Sequence, residues 1–147
     1  MDKAAILKAL CDLTSLRDIQ LMPLLEKDSR LSAYEPINKY VLDLKNGSKP
    51  ESAVEDLFRS LMTDVLGLSA QPQVRTVHGF VDFAVAEGAS EPVLVEVKPL
   101  FELYSDERLA SSALKPATHL DQIKKYLRKH EYVILTDLRD AYLYNAR

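Results

Sequence analysis

Two acids in this chain stand where acids are costly. Asp82 falls in Gly79-Phe80-Val81-Asp82-Phe83-Ala84-Val85, and Glu96 in Val93-Leu94-Val95-Glu96-Val97-Lys98. Both runs read as strands. A carboxylate inside a buried strand is unfavourable unless it is paired or bound to a metal. Glu96 and Lys98 are two apart and leave the same face of their strand. If the two strands pair, Asp82 can face them, and two carboxylates and one ammonium converge. Hard oxygen donors suit Mg²⁺, with Mn²⁺ as a substitute, and Mg²⁺ needs only one or two carboxylates beside its waters and a substrate phosphate. Such a metal would polarise a phosphodiester and acidify a bound water. Lys98 would orient that water or stabilise charge on the phosphorane, and the Val97 carbonyl is a further candidate ligand. The competing reading of the same residues is a plain Glu96–Lys98 ion pair.

Two helices could complete such a site. Ser52 with Glu55 three residues on has capping-box spacing, ahead of the apolar positions Val54, Leu57, Phe58, Leu61, Val65 and Leu66, and Gly67 stops the pattern. Glu55 is therefore either a capping residue or a third carboxylate at the edge of the site, with Glu51 competing for that role. The run His119-Leu120-Asp121-Gln122-Ile123-Lys124-Lys125-Tyr126-Leu127-Arg128-Lys129-His130 predicts a helix from about Thr118 to Lys129, its core stripe Leu120, Ile123 and Leu127. Gln122, Tyr126 and His119 flank that stripe. Lys124, Lys125, Arg128 and Lys129 cover much of the rest, as a solvated face or as one turned to phosphates.

The elements around these residues follow from periodicity. Apolar residues at helical spacing run from Lys3 to about Leu25 (Ile6, Leu7, Leu10, Leu13, Leu16, Ile19, Leu21, Leu24), and Pro23 should bend that helix. Another helix is predicted from Pro36 to Leu44, ended by Asn46-Gly47-Ser48. Gln73–His78 and Phe80–Ala86 alternate as a hairpin with Gly79 at the junction, and Ala89-Ser90-Glu91-Pro92 reads as a turn. Residues 100–116 read as a loop with one short helix, and Tyr132–Thr136 and Ala141–Tyr144 as strands. The fold class is α/β (α+β), a central mixed β-sheet flanked by helices.

Composition narrows the function. With 147 residues, 47% hydrophobic and 28% charged, the chain is large enough for one domain with a real core and is neither disordered nor fibrous. No apolar run predicts a transmembrane helix, and Lys8 falls too early for a secretory segment. Cys11 is the only cysteine, which excludes an internal disulfide and a cysteine-based zinc site. These features predict a cytoplasmic protein with no membrane partner. The net charge of −3 argues against DNA binding by bulk electrostatics. Yet residues 1–97 carry 10 Lys/Arg against 15 Asp/Glu, whereas residues 98–147 carry 9 against 7. No phosphate-cradling glycine loop, nucleophile elbow or His/Cys cluster points to a small-molecule enzyme.

With these residues in place the chain resembles the PD-(D/E)xK, restriction-endonuclease-like, nucleases, most closely the N-terminal nuclease domains of restriction–modification enzymes. The resemblance covers about residues 50–146. It rests on the helix from Glu55 to Leu66-Gly67, on Gly79–Phe83, on Val95-Glu96-Val97-Lys98-Pro99, on Gln122-Ile123-Lys124-Lys125-Tyr126, on Tyr132–Asp137 and on Ala141–Asn145. It implies Asp82 and Glu96 as metal-binding acids, Lys98 as the catalytic lysine, Gln122 and Tyr126 as the Gln-x-x-x-Tyr that shapes the site, and Glu55 as the acid of the first core helix. Val81 replaces the motif's proline, and residues 100–116 have no counterpart.

The implied function is Mg²⁺-dependent DNA endonuclease activity, with Lys124, Lys125, Tyr126, Arg128 and Lys129 contacting DNA. The module would work beside methyltransferase, specificity or translocase domains or subunits, and would dimerise for double-strand cleavage. Residues 1–49 would form a helical extension packed on a nuclease core of residues 50–147, and the chain reads as a domain cut from a longer polypeptide. The alternatives are a stand-alone repair, recombination or mobile-element nuclease, and a catalytically silent binding domain of the same fold.

Overall fold

In the computed structural model, which describes residues 2–17, 31, 33–76, 79–86, 91–105 and 108–146 (the Phe80 side chain excepted), capping chemistry sets where the helices begin. Helix α1 (Lys3–Ser15) starts at Asp2, whose Oδ1 accepts the Ala4 and Ala5 N–H groups at 3.0 and 3.3 Å. It buries Ile6, Ala9 and Leu13, spaced along one face. It stops at Ser15, well before Pro23, where the Thr14 and Ser15 hydroxyls bond back to the Cys11 and Asp12 carbonyls. The expected stretch with Ile19, Leu21, Pro23 and Leu24 lies outside the described residues. Helix α2 (Glu35–Lys45) carries Pro36 in its first turn and buries Ile37, Tyr40, Val41 and Leu44.

Helix α3 (Pro50–Leu61) corrects the expected cap. Its N-cap is Lys49 and its first residue is Pro50, which has no N–H to satisfy, so Ser52 is already inside the helix and Glu55 is not a capping-box residue. The helix continues as one π-helical turn, Met62–Leu66, and ends at Gly67, whose φ of 64° suits glycine.

Seven strands follow: β1 (Ser69–Thr76), β2 (Gly79–Ala86), β3 (Val93–Val97), β4 (Phe101–Ser105), β5 (Arg108–Ser111), β6 (Tyr132–Thr136) and β7 (Ala141–Asn145). The central sheet has the order β1-β2-β3-β6-β7. Only β3 and β6 run parallel, so the sheet is mixed but mostly antiparallel. Residues 100–116 were expected to be a loop with a short helix, and most of them instead form the antiparallel pair β4–β5. The signal there is weak, since Leu103 pairs with Leu109 but Phe101 pairs with Ser111, and Glu102 and Arg108 interrupt the apolar positions. A 3₁₀ turn (Pro116–His119) then leads into helix α4 (Leu120–Leu127).

The sheet is covered on both faces. Helices α1, α2 and α3, with β4 and β5, enclose one cluster against Phe83, Val95 and Val97. Helix α4 inserts Ile123 and Tyr126 against Val81, Ala84, Leu94, Val133 and Leu135 on the other face. The turn between β6 and β7 adds a clasp. Leu138 adopts φ 74°, and Asp137 Oδ1 accepts the Arg139 and Asp140 N–H groups at 2.9 and 2.8 Å. Arg139 is thereby aimed across the fold, donating to the Thr14 carbonyl and Ser111 Oγ, both at 2.8 Å, and lying over the Phe101 ring. No described helix is long and apolar enough to cross a membrane.

Phe83 is 1% exposed and its ring lies 4.9 Å from that of Phe58, bridging sheet and α3. Phe83→Ala is expected to cost about 3–5 kcal/mol, whereas Leu143→Ser, on a strand position 65% exposed, should change stability by less than about 0.5 kcal/mol. Urea unfolding of the two variants checks both values.

Candidate functional site

The site forms where the β2–β3 ladder splits. The ladder pairs Val85 with Val93, Ala84 with Leu94 and Phe83 with Val95, and then stops. The next pair would be Asp82 and Glu96. Beyond the split, side chains take over the backbone's hydrogen bonds: Val97 N–H donates to Asp82 Oδ2 at 2.8 Å, and Asp82 N–H to Glu96 Oε1 at 3.4 Å. The other side of β2 is irregular at the same point. Gln73, opposite Asp82 by register, has φ 50°, and this pair is missing from the β1–β2 ladder. Alternation also slips here, since Val81 joins Ala84 on the α4 face whereas Phe83 packs against α3. A local break of this kind re-aims a side chain.

The predicted residues gather around this split. Glu96 is 3% exposed, and Lys98 Nζ lies 3.7 Å from its Oε2. The Glu55 carboxyl, projecting from α3, hydrogen-bonds that of Asp82. Glu51, one turn earlier, reaches to 4.0 Å from Lys98 Nζ, so two of the three acids of α3 border the site. Burial, the bond to Asp82 and the nearby negative charges push Glu55 up to about 7. Glu96 is also pushed up to about 7, by burial first and the Asp82 charge second, with Lys98 opposing. The carboxyls of Glu55, Asp82 and Glu96, with Glu51 at the edge, thus have one ammonium, Lys98, among them.

Helix α4 closes the other side. Gln122 Nε2 donates to the Tyr126 hydroxyl at 3.0 Å, and that hydroxyl faces Glu96. Gln122 itself is exposed and reaches the carboxylates only through Tyr126. Tyr126 is 1% exposed, which removes it from the expected DNA-contacting set, because the i, i+3 spacing to Ile123 turns its ring into the core. Lys124, Lys125, Arg128 and Lys129 are exposed. His119 lies against Lys98 at the start of the helix, and burial followed by the Lys98 charge lowers its pKa. Four neighbours were not singled out from sequence. Pro99, Ser112 and Lys115 border a hollow beside Lys98, and Arg75 shares another with Lys129 and His130. A lone arginine on β1 gives no sequence signal, because only the sheet register brings it there.

Among the described residues, no three His, Cys, Asp or Glu side chains are arranged to enclose a metal ion. Asp82 and Glu96 still offer hard oxygen donors in the number that Mg²⁺ needs beside water and phosphate. The shortage of positive charge around the three carboxyls fits a divalent cation. Val97 is buried between the two acids, with its N–H committed to Asp82.

The raised carboxyls make a pH prediction for the metal-free chain. Each binds its proton more tightly folded than unfolded, so stability falls as pH rises from about 4.5 to about 7 and stays reduced above that. In chelator, Glu96→Gln should unfold at the wild-type urea concentration near about pH 4.5 and at a higher one near about pH 8. Parallel urea curves at the two pH values check this.

Comparison with known proteins gives one relationship. No match is found among curated proteins or solved structures. Residues 38–133, from α2 into β6, match the family described as "Domain of unknown function (DUF8371)". The matched stretch is more than half of the chain and contains Glu55, Asp82, Glu96, Lys98, Gln122 and the cations of α4, so the chain belongs to the DUF8371 family.

Proposed function

We propose that this chain is the catalytic module of a Mg²⁺-dependent DNA endonuclease on a restriction-endonuclease-like, PD-(D/E)xK, fold, serving a restriction–modification enzyme whose other domains or subunits select the site. The observation that carries the reading is the split ladder, which sets Asp82 and Glu96 side by side with Lys98 against Glu96. Asp82 and Glu96 would hold the ion, with Glu55 at its edge and the Val97 carbonyl as a further ligand. The ion, when bound, supplies Lewis-acid polarisation of the phosphodiester and an acidified water. Lys98 donates hydrogen bonds to the attacking water and to the charge that builds on the phosphorane. Water adds to phosphorus and loses a proton, the P–O3′ bond breaks, and the 3′ oxygen is protonated, leaving a 5′-phosphate and a 3′-hydroxyl. Gln122, through Tyr126, holds the wall of the site. Weak intrinsic DNA affinity at a net charge of −3 leaves the choice of target to the partner domains.

A second reading has its own support. The carboxylates already accept backbone N–H groups at the split, so they could serve a silent binding domain as structural plugs. Asp82→Asn separates the two, because the amide oxygen still accepts the Val97 N–H while the charge is gone.

The test is nicking of supercoiled plasmid in Mg²⁺ and in Mn²⁺. Wild type is expected to nick with either metal and not in chelator. Lys98→Ala and Asp82→Asn should each be slower by about 100-fold or more. Undiminished nicking by Lys98→Ala would overturn the nuclease reading, and a wild type that neither nicks nor binds Mn²⁺ would leave the silent domain.

A further inference from the structure

Helix α4 meets the carboxylates through Tyr126, in its last turn, and a cationic hollow lies beyond each end of the helix. The first, about 190 Å³, lies beside Lys98 and is bordered by Lys115 and His119, with Glu102 its one acid. The second, about 510 Å³, opens between Arg75 and Thr76 of β1 and Lys129 and His130 beyond α4. At 1.5 Å per residue, the eight residues Leu120–Leu127 of α4 cover about 12 Å, roughly three or four phosphates of one duplex strand at about 3.4 Å each.

Between the hollows the helix exposes Lys124, Lys125 and Arg128. An ordinary solvated helix face pairs its lysines with acids one turn away. Here none of Arg75, Lys115, Lys124, Lys125, Arg128 or Lys129 has an ion pair among the described residues. Asp121, one turn before Lys124 and Lys125, and Glu131 are the acids nearest in sequence, and these six basic groups outnumber them in a chain of net charge −3. Flexible ammonium and guanidinium groups at such spacing suit phosphates rather than base edges.

We infer that α4 is the rail for one DNA strand, whose backbone phosphates are held on both sides of the carboxylate site: by Lys115 at one end, and by Arg75 with Lys129 at the other. This rests on the reading of the site as a DNA nuclease and adds the strand path, with Arg75 and Lys115 as phosphate-holding residues. The contacts are independent of sequence, in keeping with a module that leaves recognition to others.

The test measures binding without cleavage. The full chain is titrated into a fluorescein-labelled duplex of arbitrary sequence in chelator, and anisotropy is read across a series of salt concentrations. Arg75→Ala, Lys129→Ala and Lys115→Ala should each weaken binding several-fold, equally for unrelated duplex sequences, and each should reduce the slope of log affinity against log salt by about 0.9. Mn²⁺ affinity should be unchanged in all three and lost in Asp82→Asn. An unchanged slope for Lys115→Ala, or for both Arg75→Ala and Lys129→Ala, overturns the two-sided path even if the wild type cleaves DNA. Reduced slopes at both ends in a protein that never cleaves keep the path and remove the nuclease reading.

Discussion

A buried backbone N–H must find an acceptor, and that requirement governs the centre of this molecule. When β2 and β3 part after Phe83 and Val95, the amides of Asp82 and Val97 lose their ladder partners. Each is recovered by a carboxylate from the opposite strand. The same oxygens that repair the sheet are therefore held within a few ångströms of each other, in a place where their charge is poorly solvated. Around this one feature the rest falls into place. Gln73 yields its ladder pairing, α3 leans Glu55 towards Asp82, Lys98 folds back onto Glu96, and α4 seals the far side with Tyr126. The strain of gathering like charges is visible in the two carboxyls that resist ionisation up to about 7.

Much of this was legible in the residues because strands announce themselves by alternation and acids inside them stand out. The limits of β6, from Tyr132 to Thr136, the parting of apolar from charged faces on α4, and the convergence of Asp82, Glu96 and Lys98 all follow from spacing. The failures have equally local causes. Ser52 has the composition of a cap, but Pro50 two residues earlier is a better first residue, and that shift releases Glu55 to face the site. The β4–β5 pair escaped because short strands crossed by Glu102 and Arg108 lack a clear period. Tyr126 falls on the flank of a stripe drawn through Leu120, Ile123 and Leu127, whereas the buried pair is Ile123 and Tyr126 and the two leucines are only half-buried. Arg75 was beyond reach in principle, since its neighbours on Lys129 and His130 exist only once the sheet has formed.

Charge is unevenly distributed around the site. Glu51 and Glu55 of α3 border the split, where Lys98 reaches Glu51, and exposed cations line α4, which packs on the opposite face of the sheet. On the proposed reading, a polyanion approaching along α4 would meet attraction first and repulsion only at the carboxylates. Cation binding at the carboxylates would relieve that repulsion, coupling the approach of a phosphate to the occupancy of the site.

The Arg139 clasp sets a timetable for the fold. The carbonyl of Thr14, near the end of α1, waits for a donor 125 residues further along the chain. Ser111 and the Phe101 ring wait for the same guanidinium. Synthesis runs from the N- to the C-terminus, so the end of α1 cannot be locked down until the β6–β7 turn has left the ribosome. The central parallel pairing of β3 with β6 waits on nearly the same stretch. One side chain thus ties together two segments made 125 residues apart.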